Sequence, residues 1–139
     1  MPIDKDYSRG DYTTLPADDT NLTTAFSYPE YDKVALQDGI CVDLSATAQY
    51  STFQFKKQFE DDTCYPVITC VAKSTLATSL SPVYLQVYNI NTPAWVTLDT
   101  NNNTAANTNF TLNGQVGAPL SNYQSPGTWY SFRVYQLMQ

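Results

Sequence analysis

Few side chains in this chain could do chemistry, and their spacing limits them further. Histidine is absent. No Ser-His-Asp or Cys-His nucleophile, no His-ligated zinc and no proton shuttle with an unperturbed near-neutral pKa can therefore be assembled. Asp99-Thr100-Asn101-Asn102-Asn103 opens like an EF-hand calcium loop, but Thr104 stands where that loop needs Gly and Phe110 where it needs Glu. It reads as a polar loop whose side chains bond nearby backbone. Glu60-Asp61-Asp62 could supply paired carboxylates for glycoside hydrolysis or calcium. Three adjacent acids after a strand read more simply as a solvated turn that discourages edge pairing. Cys41, Cys64 and Cys70 cannot all pair within one chain. In one extended strand Cys64 and Cys70 would lie about 20 Å apart, beyond disulfide reach. A cross-strand bond from Cys41 to either is open but unforced; no CxxC spacing suggests a metal, and the three read most simply as free, buried thiols. We expect no catalytic residue, no metal and no cofactor.

The aromatic residues carry more. Tyr84, Tyr88, Trp95, Trp129 and Tyr135 could form a flat stacking platform for a carbohydrate. They could also contact another subunit, where Tyr and Trp dominate binding energy; the simplest reading is that the Trp residues close the ends of the core and the Tyr residues pair across strands. Glycosylation-type triplets at Asn21, Asn102 and Asn109 are no more than ten Asn among many Ser and Thr would produce by chance. Lys56-Lys57 is too small a patch for nucleic acid, and a net charge of -6, from 13 acids and 7 bases, opposes a polyphosphate partner.

The elements that must position these residues follow from composition and period. At 139 residues and 42% hydrophobic, the chain fits one domain with a real core. Only 14% of residues are charged, against about 25% in a typical soluble protein. Asp99 is the sole charge between Ser74 and Phe132, and Thr, Asn, Ser and Gln solvate that half instead. These are weak helix formers, while the 11 Tyr, 6 Phe and 2 Trp favour strands. The class is all-β.

Alternation places strands at Val83 to Asn89, Trp129 to Tyr135 and Tyr50 to Phe59. Val67 to Lys73 is a nearly continuous apolar run, as in a central strand. Shorter strands are expected at Lys33 to Leu36, Ile40 to Leu44, Ala94 to Leu98 and Asn109 to Leu112. Turn chemistry at Asp38-Gly39, Asn91-Thr92-Pro93, Asn113-Gly114 and Ser125-Pro126-Gly127 separates them. About eight antiparallel strands predict a two-sheet β-sandwich with jelly-roll or Greek-key connections over residues 31–139. One helical turn is expected near Pro29-Glu30-Tyr31-Asp32.

Residues 1–30 lack a regular period and read as an extended N-terminal arm. Its anchors are expected to be Leu15, Leu22 and Phe26, supported by Tyr7 and Tyr12, seated on a neighbouring subunit or else on the chain's own sandwich. Removing residues 1–26 would then leave a folded body. The start, Met1-Pro2-Ile3-Asp4-Lys5-Asp6-Tyr7, has neither the basic region nor the apolar run of a secretory signal. No stretch approaches the roughly 20 apolar residues of a bilayer span. Either the chain is made and kept in the cytoplasm, or a signal was removed before this numbering begins; Met1 favours the first, with no membrane partner.

One resemblance joins these observations. The runs Val83-Tyr84-Leu85-Gln86-Val87-Tyr88-Asn89, Trp95-Val96-Thr97-Leu98-Asp99, Thr104 to Leu112 and Trp129 to Gln136 resemble a β-sandwich module of predicted bacteriophage virion proteins. Asp11-Tyr12-Thr13-Thr14-Leu15-Pro16 with Asp18-Asp19-Thr20 is similar to the leader segments before such modules. The resemblance implies a non-enzymatic structural protein of the virion, a capsid decoration or other head or tail component. Its partners would be the major capsid protein or other virion subunits, in repeated or homo-oligomeric copies. It carries over no binding residue. A carbohydrate-binding module and a subunit of an extracellular filament are the other readings.

Overall fold

The computed structural model describes residues 5–35, 42, 47–59 and 65–138. Period-2 alternation folds most of them into strands. In chain order these are β1 (Lys5–Tyr12), β2 (Thr24–Ala25), β3 (Tyr50–Gln58), β4 (Val67–Lys73), β5 (Val83–Asn89), β6 (Ala94–Asn101), β7 (Asn109–Gln115) and β8 (Trp129–Leu137). A helix, α1 (Tyr28–Ala35), follows β2. All pairings are antiparallel, in a six-stranded sheet of order β2-β1-β3-β8-β5-β6 and a two-stranded sheet of order β4-β7.

The core lies between the two sheets. Val83 and Leu85 of β5, Val134 of β8, and Phe110 and Leu112 of β7 are buried together, with Ile68, Cys70 and Ala72 of β4 against them. Val87, Val116, Tyr130 and Phe132 form the second cluster. Each such side chain contributes roughly 1.5–3 kcal/mol when taken fully from water. Leu98 of β6 approaches β7 so closely that a Cβ at Gly114 would stand 2.6 Å from the Leu98 Cβ. Asp99 Oδ2 accepts from the Asn113 N–H there at 2.9 Å and ties the same two strands.

Several expectations are corrected. Six of the eight expected strands form, but Lys33 to Ala35 belongs to α1. The helix starts on Ser27-Tyr28-Pro29-Glu30, where Glu30 Oε1 accepts from the Ser27 N–H at 3.1 Å, half of a capping box. That local signature outweighs the short apolar run that suggested a strand. The expected strand Ile40 to Leu44, and the turn at Asp38-Gly39, lie outside the described residues. β4 is no central strand: among the named strands it pairs only with β7, and Val67, Thr69, Val71 and Lys73 are exposed while the residues between them face the core.

The largest correction concerns residues 1–30. β1 pairs with β3 along eight residue pairs, from Lys5↔Lys57 to Tyr12↔Tyr50. Residues 5–30 are therefore part of the body and not a separate arm. Tyr7 packs edge-on against Phe26 at 5.6 Å and Phe55 at 4.9 Å. Its N–H donates to the Tyr31 hydroxyl at 2.8 Å. Arg9 Nε donates to Glu30 Oε2 at 2.7 Å, fastening α1 over the inner face of β1. Leu22 and Phe26 are 6% and 7% exposed, seated on their own chain. Removing residues 1–26 would strip an interior strand from the sheet, so it would not leave an intact body.

Two measurements check this packing. Gly114→Ala is expected to lower stability by about 1–3 kcal/mol in urea unfolding, while Gly117→Ala, whose Cβ would meet nothing within 4 Å, is expected to be neutral. The Arg9 side chain, then the Ser27 backbone, hold the Glu30 carboxyl below its ordinary pKa. A depressed carboxylate stabilises above its unfolded pKa, and that stability is lost as pH falls through the folded value. Glu30→Gln should therefore lower the melting temperature at neutral pH and narrow its gap to the parent below about pH 4.

Candidate functional site

The outer face of the six-stranded sheet, turned away from the core, gathers most of the aromatic residues singled out from sequence. Because Tyr130, Phe132 and Val134 of β8 point into the core, the alternate residues Trp129, Ser131, Arg133, Tyr135 and Leu137 point out. Register sets their neighbours: Thr52 and Tyr84 flank Tyr135, and Gln54 and Gln86 flank Arg133.

This face is polar yet buried. Ser8, Thr52, Gln54, Gln86, Ser131 and Arg133 are all under 9% exposed. The cause is a strap, residues 13–23, that leaves β1 at Tyr12, crosses the sheet and returns to β2. Its carbonyls meet the sheet's donors. Arg133 Nη1 donates to Pro16 O at 2.8 Å, Gln54 Nε2 to Asp19 O at 2.9 Å and Trp95 Nε1 to Asp18 O at 3.3 Å. Ser131 Oγ donates to Asp19 Oδ2 at 2.7 Å, and the Leu22 N–H donates to Ser8 Oγ at 3.0 Å. No buried side-chain nitrogen or oxygen among the described residues is left without a partner, as burial of polar groups demands.

Arg133 sits at the centre. Its Nε donates to Gln86 Oε1 at 2.8 Å, and its guanidinium lies 4.3 Å from the Trp95 ring centre and 5.2 Å from that of Tyr135. Such ring contacts give a cation about 0.5–2 kcal/mol each. No carboxylate among the described residues bonds it. Burial lowers its pKa to about 10, with the Tyr135 hydroxyl opposing, so it stays protonated at neutral pH. Burial also raises the Tyr135 phenol, against the pull of Arg133. Tyr88 is raised by burial and then by Asp19 and Asp18.

Beyond the strap the face is open. Tyr50, Leu80, Ser81, Pro82, Tyr84, Tyr135 and Leu137 line a groove of about 240 Å3. Tyr84 and Tyr135 stack at 5.1 Å, and Tyr50 meets Tyr135 at 5.8 Å and 75°. Tyr88 and Trp95 pair edge-on at 5.2 Å under the strap. The rings are thus turned against one another, as in the cross-strand pairing that was one of the readings, and they edge a groove and not a flat platform. Trp129 lies six residues from Tyr135 along β8, about 20 Å away, beside Gln58, and takes no part. Tyr50, Arg133 and the strap were not singled out from sequence. Arg133 left one signal, as a lone cation within the otherwise uncharged run Trp129 to Gln139.

The remaining candidates resolve simply. Tyr12 accepts from the Thr23 N–H at 3.0 Å, so the expected arm anchors Tyr7, Tyr12, Leu22 and Phe26 all hold their own chain, with Leu15 half-buried in the strap. Asp99 bonds the Thr100 and Asn113 N–H groups. Among the described residues no three Cys, Asp or Glu side chains come together. The Cys70 thiol is free, and burial pushes it up to about 11, which leaves it a poor nucleophile. Glu60-Asp61-Asp62, Cys41 and Cys64 lie outside the described residues. No helix among those residues is long and apolar enough to cross a membrane.

Fold and site together define a class: an all-β chain of two antiparallel sheets, with a strapped polar row and an open aromatic groove on one face. No protein family, curated protein or solved structure matches it.

The strap's attachment is open to test. In a Trp129→Phe background, Leu22→Ala should red-shift Trp95 emission as the strap loosens and lower stability by about 2–4 kcal/mol. A stability loss without an emission change would show that the polar bonds hold the strap unaided.

Proposed function

We propose that the two sheets form a jelly-roll-like β-sandwich serving as a non-enzymatic structural subunit of a virion, as a capsid decoration or other head or tail component. Strand order supports the fold reading. The chain runs β3, then β4 in the opposite sheet, then β5 and β6, across to β7 and back to β8. Alternation between facing sheets is the connection pattern of a double Greek key, as in capsid and lectin domains. That analogy raises the prior for such roles without identifying one.

A surface feature carries the assembly reading. Val67 and Val71 are 64% and 40% exposed, on the outer side of β4 by alternation, and Tyr65, just before the strand, is 48% exposed. Exposed apolar rows of this kind mark protein contacts, and among the described residues β4 has strand pairing on one side only. Attachment through this sheet replaces attachment through the N-terminal segment, which is engaged in cis. Many copies in a symmetric particle would multiply a modest contact.

The test is particle occupancy. Val67→Asp with Val71→Asp should leave circular dichroism and melting temperature close to the parent, because both side chains face solvent, while incorporation into particles falls at least about tenfold. Full occupancy by the doubly substituted chain would refute attachment through β4.

A further inference from the structure

The open end of the outer face carries a projection beside a recess. We propose that it is a self-complementary surface for a second copy of this chain, the Leu80 side chain of each copy seated in the Tyr50–Tyr84–Tyr135 groove of the other. This goes beyond attachment through β4 and uses a different part of the molecule.

The projection is Leu80. It is 67% exposed, although Thr78 and Ser81 on either side of it are 1% and 5% exposed. The turn that carries it is pinned at both ends. The Thr104 N–H donates to Thr78 Oγ1 at 2.8 Å, and Ser81 Oγ donates to Leu137 O at 2.6 Å. Between them the Leu80 N–H donates to Ala77 O at 3.0 Å. An apolar side chain already held in place pays less ordering entropy when it docks. Leu137, 37% exposed, lines the same groove, so the apolar surface is continuous and not a single stray leucine.

The recess selects the occupant. Its volume, about 240 Å3, falls below the roughly 300–1,000 Å3 of sites for drug-sized ligands and suits one or two apolar side chains. None of the seven lining residues is charged. Twelve of the chain's 13 acids lie within residues 1–62, whereas every lining residue but Tyr50 comes from the second half. Two copies of a chain with net charge -6 repel, and here they can meet with no carboxylate in the contact. A projection and a recess on one surface are what a two-fold axis requires, since each contact is then made twice.

Other occupants fit less well. An added strand needs open main-chain partners, and β3, β8 and β5 each pair on both sides. A sugar needs polar groups aimed at its hydroxyls, and Ser81 Oγ is already committed to Leu137 O. Seven lining residues, against roughly 20–30 a side in a standard interface, make the association weak and concentration-dependent.

Sedimentation equilibrium of the free protein, from about 10 μM to 1 mM, should therefore show monomer and dimer in exchange. Leu80→Asp and Tyr84→Lys should each weaken the dimer at least about tenfold, the scale of losing an interface anchor, with circular dichroism unchanged. Mixed in equal amounts, the two variants should associate again, because one contact then joins opposite charges and the other keeps Leu80 against Tyr84. Should Tyr84→Lys fail to fold, Leu80→Asp, at a side chain that faces solvent, still decides the matter. A monomer at every concentration, whether or not decaproline or maltohexaose enters the groove in calorimetry, would overturn the proposal. So would a dimer that Leu80→Asp leaves intact, or a mixture of the two folded variants that stays monomeric.

Discussion

A guanidinium lies under a lid of main chain, and the outer half of the structure is arranged around satisfying it. Arg133 keeps its charge because Gln86, the Pro16 carbonyl and two aromatic faces replace the water it has lost. A buried charge without such partners would cost several kcal/mol. The same need extends along the row. Gln54, Ser131 and Trp95 each take an acceptor from the strap, and the strap in turn has no ladder of its own to satisfy its carbonyls. Strap and sheet therefore complete each other, and neither would be stable in this form alone.

That reciprocity explains small residues on β1. Ser8 is 1% exposed and accepts from the Leu22 N–H. A Cβ at Gly10 would stand 2.6 Å from Thr23 Oγ1. Larger side chains at either position would hold the returning strap off the sheet. On the opposite face the constraint is apolar. β4 and β7 cover β5 and β8, while Phe26 and Tyr31 cover Tyr7, Phe53 and Phe55. The central strands of the six-stranded sheet are thus covered on both sides by different chemistry, while the Tyr50–Tyr84–Tyr135 end of the outer face and the edge strand β6 stay more open.

Legibility followed the strength of local signals. β3, β5 and β8 were readable because aromatic and β-branched residues alternate with polar ones over seven or more positions. β1 was not, because Lys5-Asp6-Tyr7-Ser8-Arg9-Gly10-Asp11-Tyr12 has one apolar inward residue, Tyr7, and otherwise gains its order from pairing with β3. α1 was legible as a single turn only. The capping pair Ser27 and Glu30 was present in the sequence, but the ion pair to Arg9 that fastens the helix spans 21 residues. For the site, Tyr84, Tyr88, Trp95 and Tyr135 were readable as outward aromatics, whereas their division into a strapped pair and an open groove was not.

By itself, the order of residues determined the class of structure and the absence of histidine chemistry. Composition and two-residue periodicity act locally, over a few neighbours, and survive any arrangement of the strands. Only the tertiary structure decided that residues 5–30 clasp their own sheet, that Arg133 is enclosed, and that Trp129 stands apart from the other rings. Those outcomes depend on register between distant strands and on which carbonyl a returning segment presents to which donor. Such contacts join residues as far apart as Pro16 and Arg133, and no local pattern encodes a partner more than a hundred positions away.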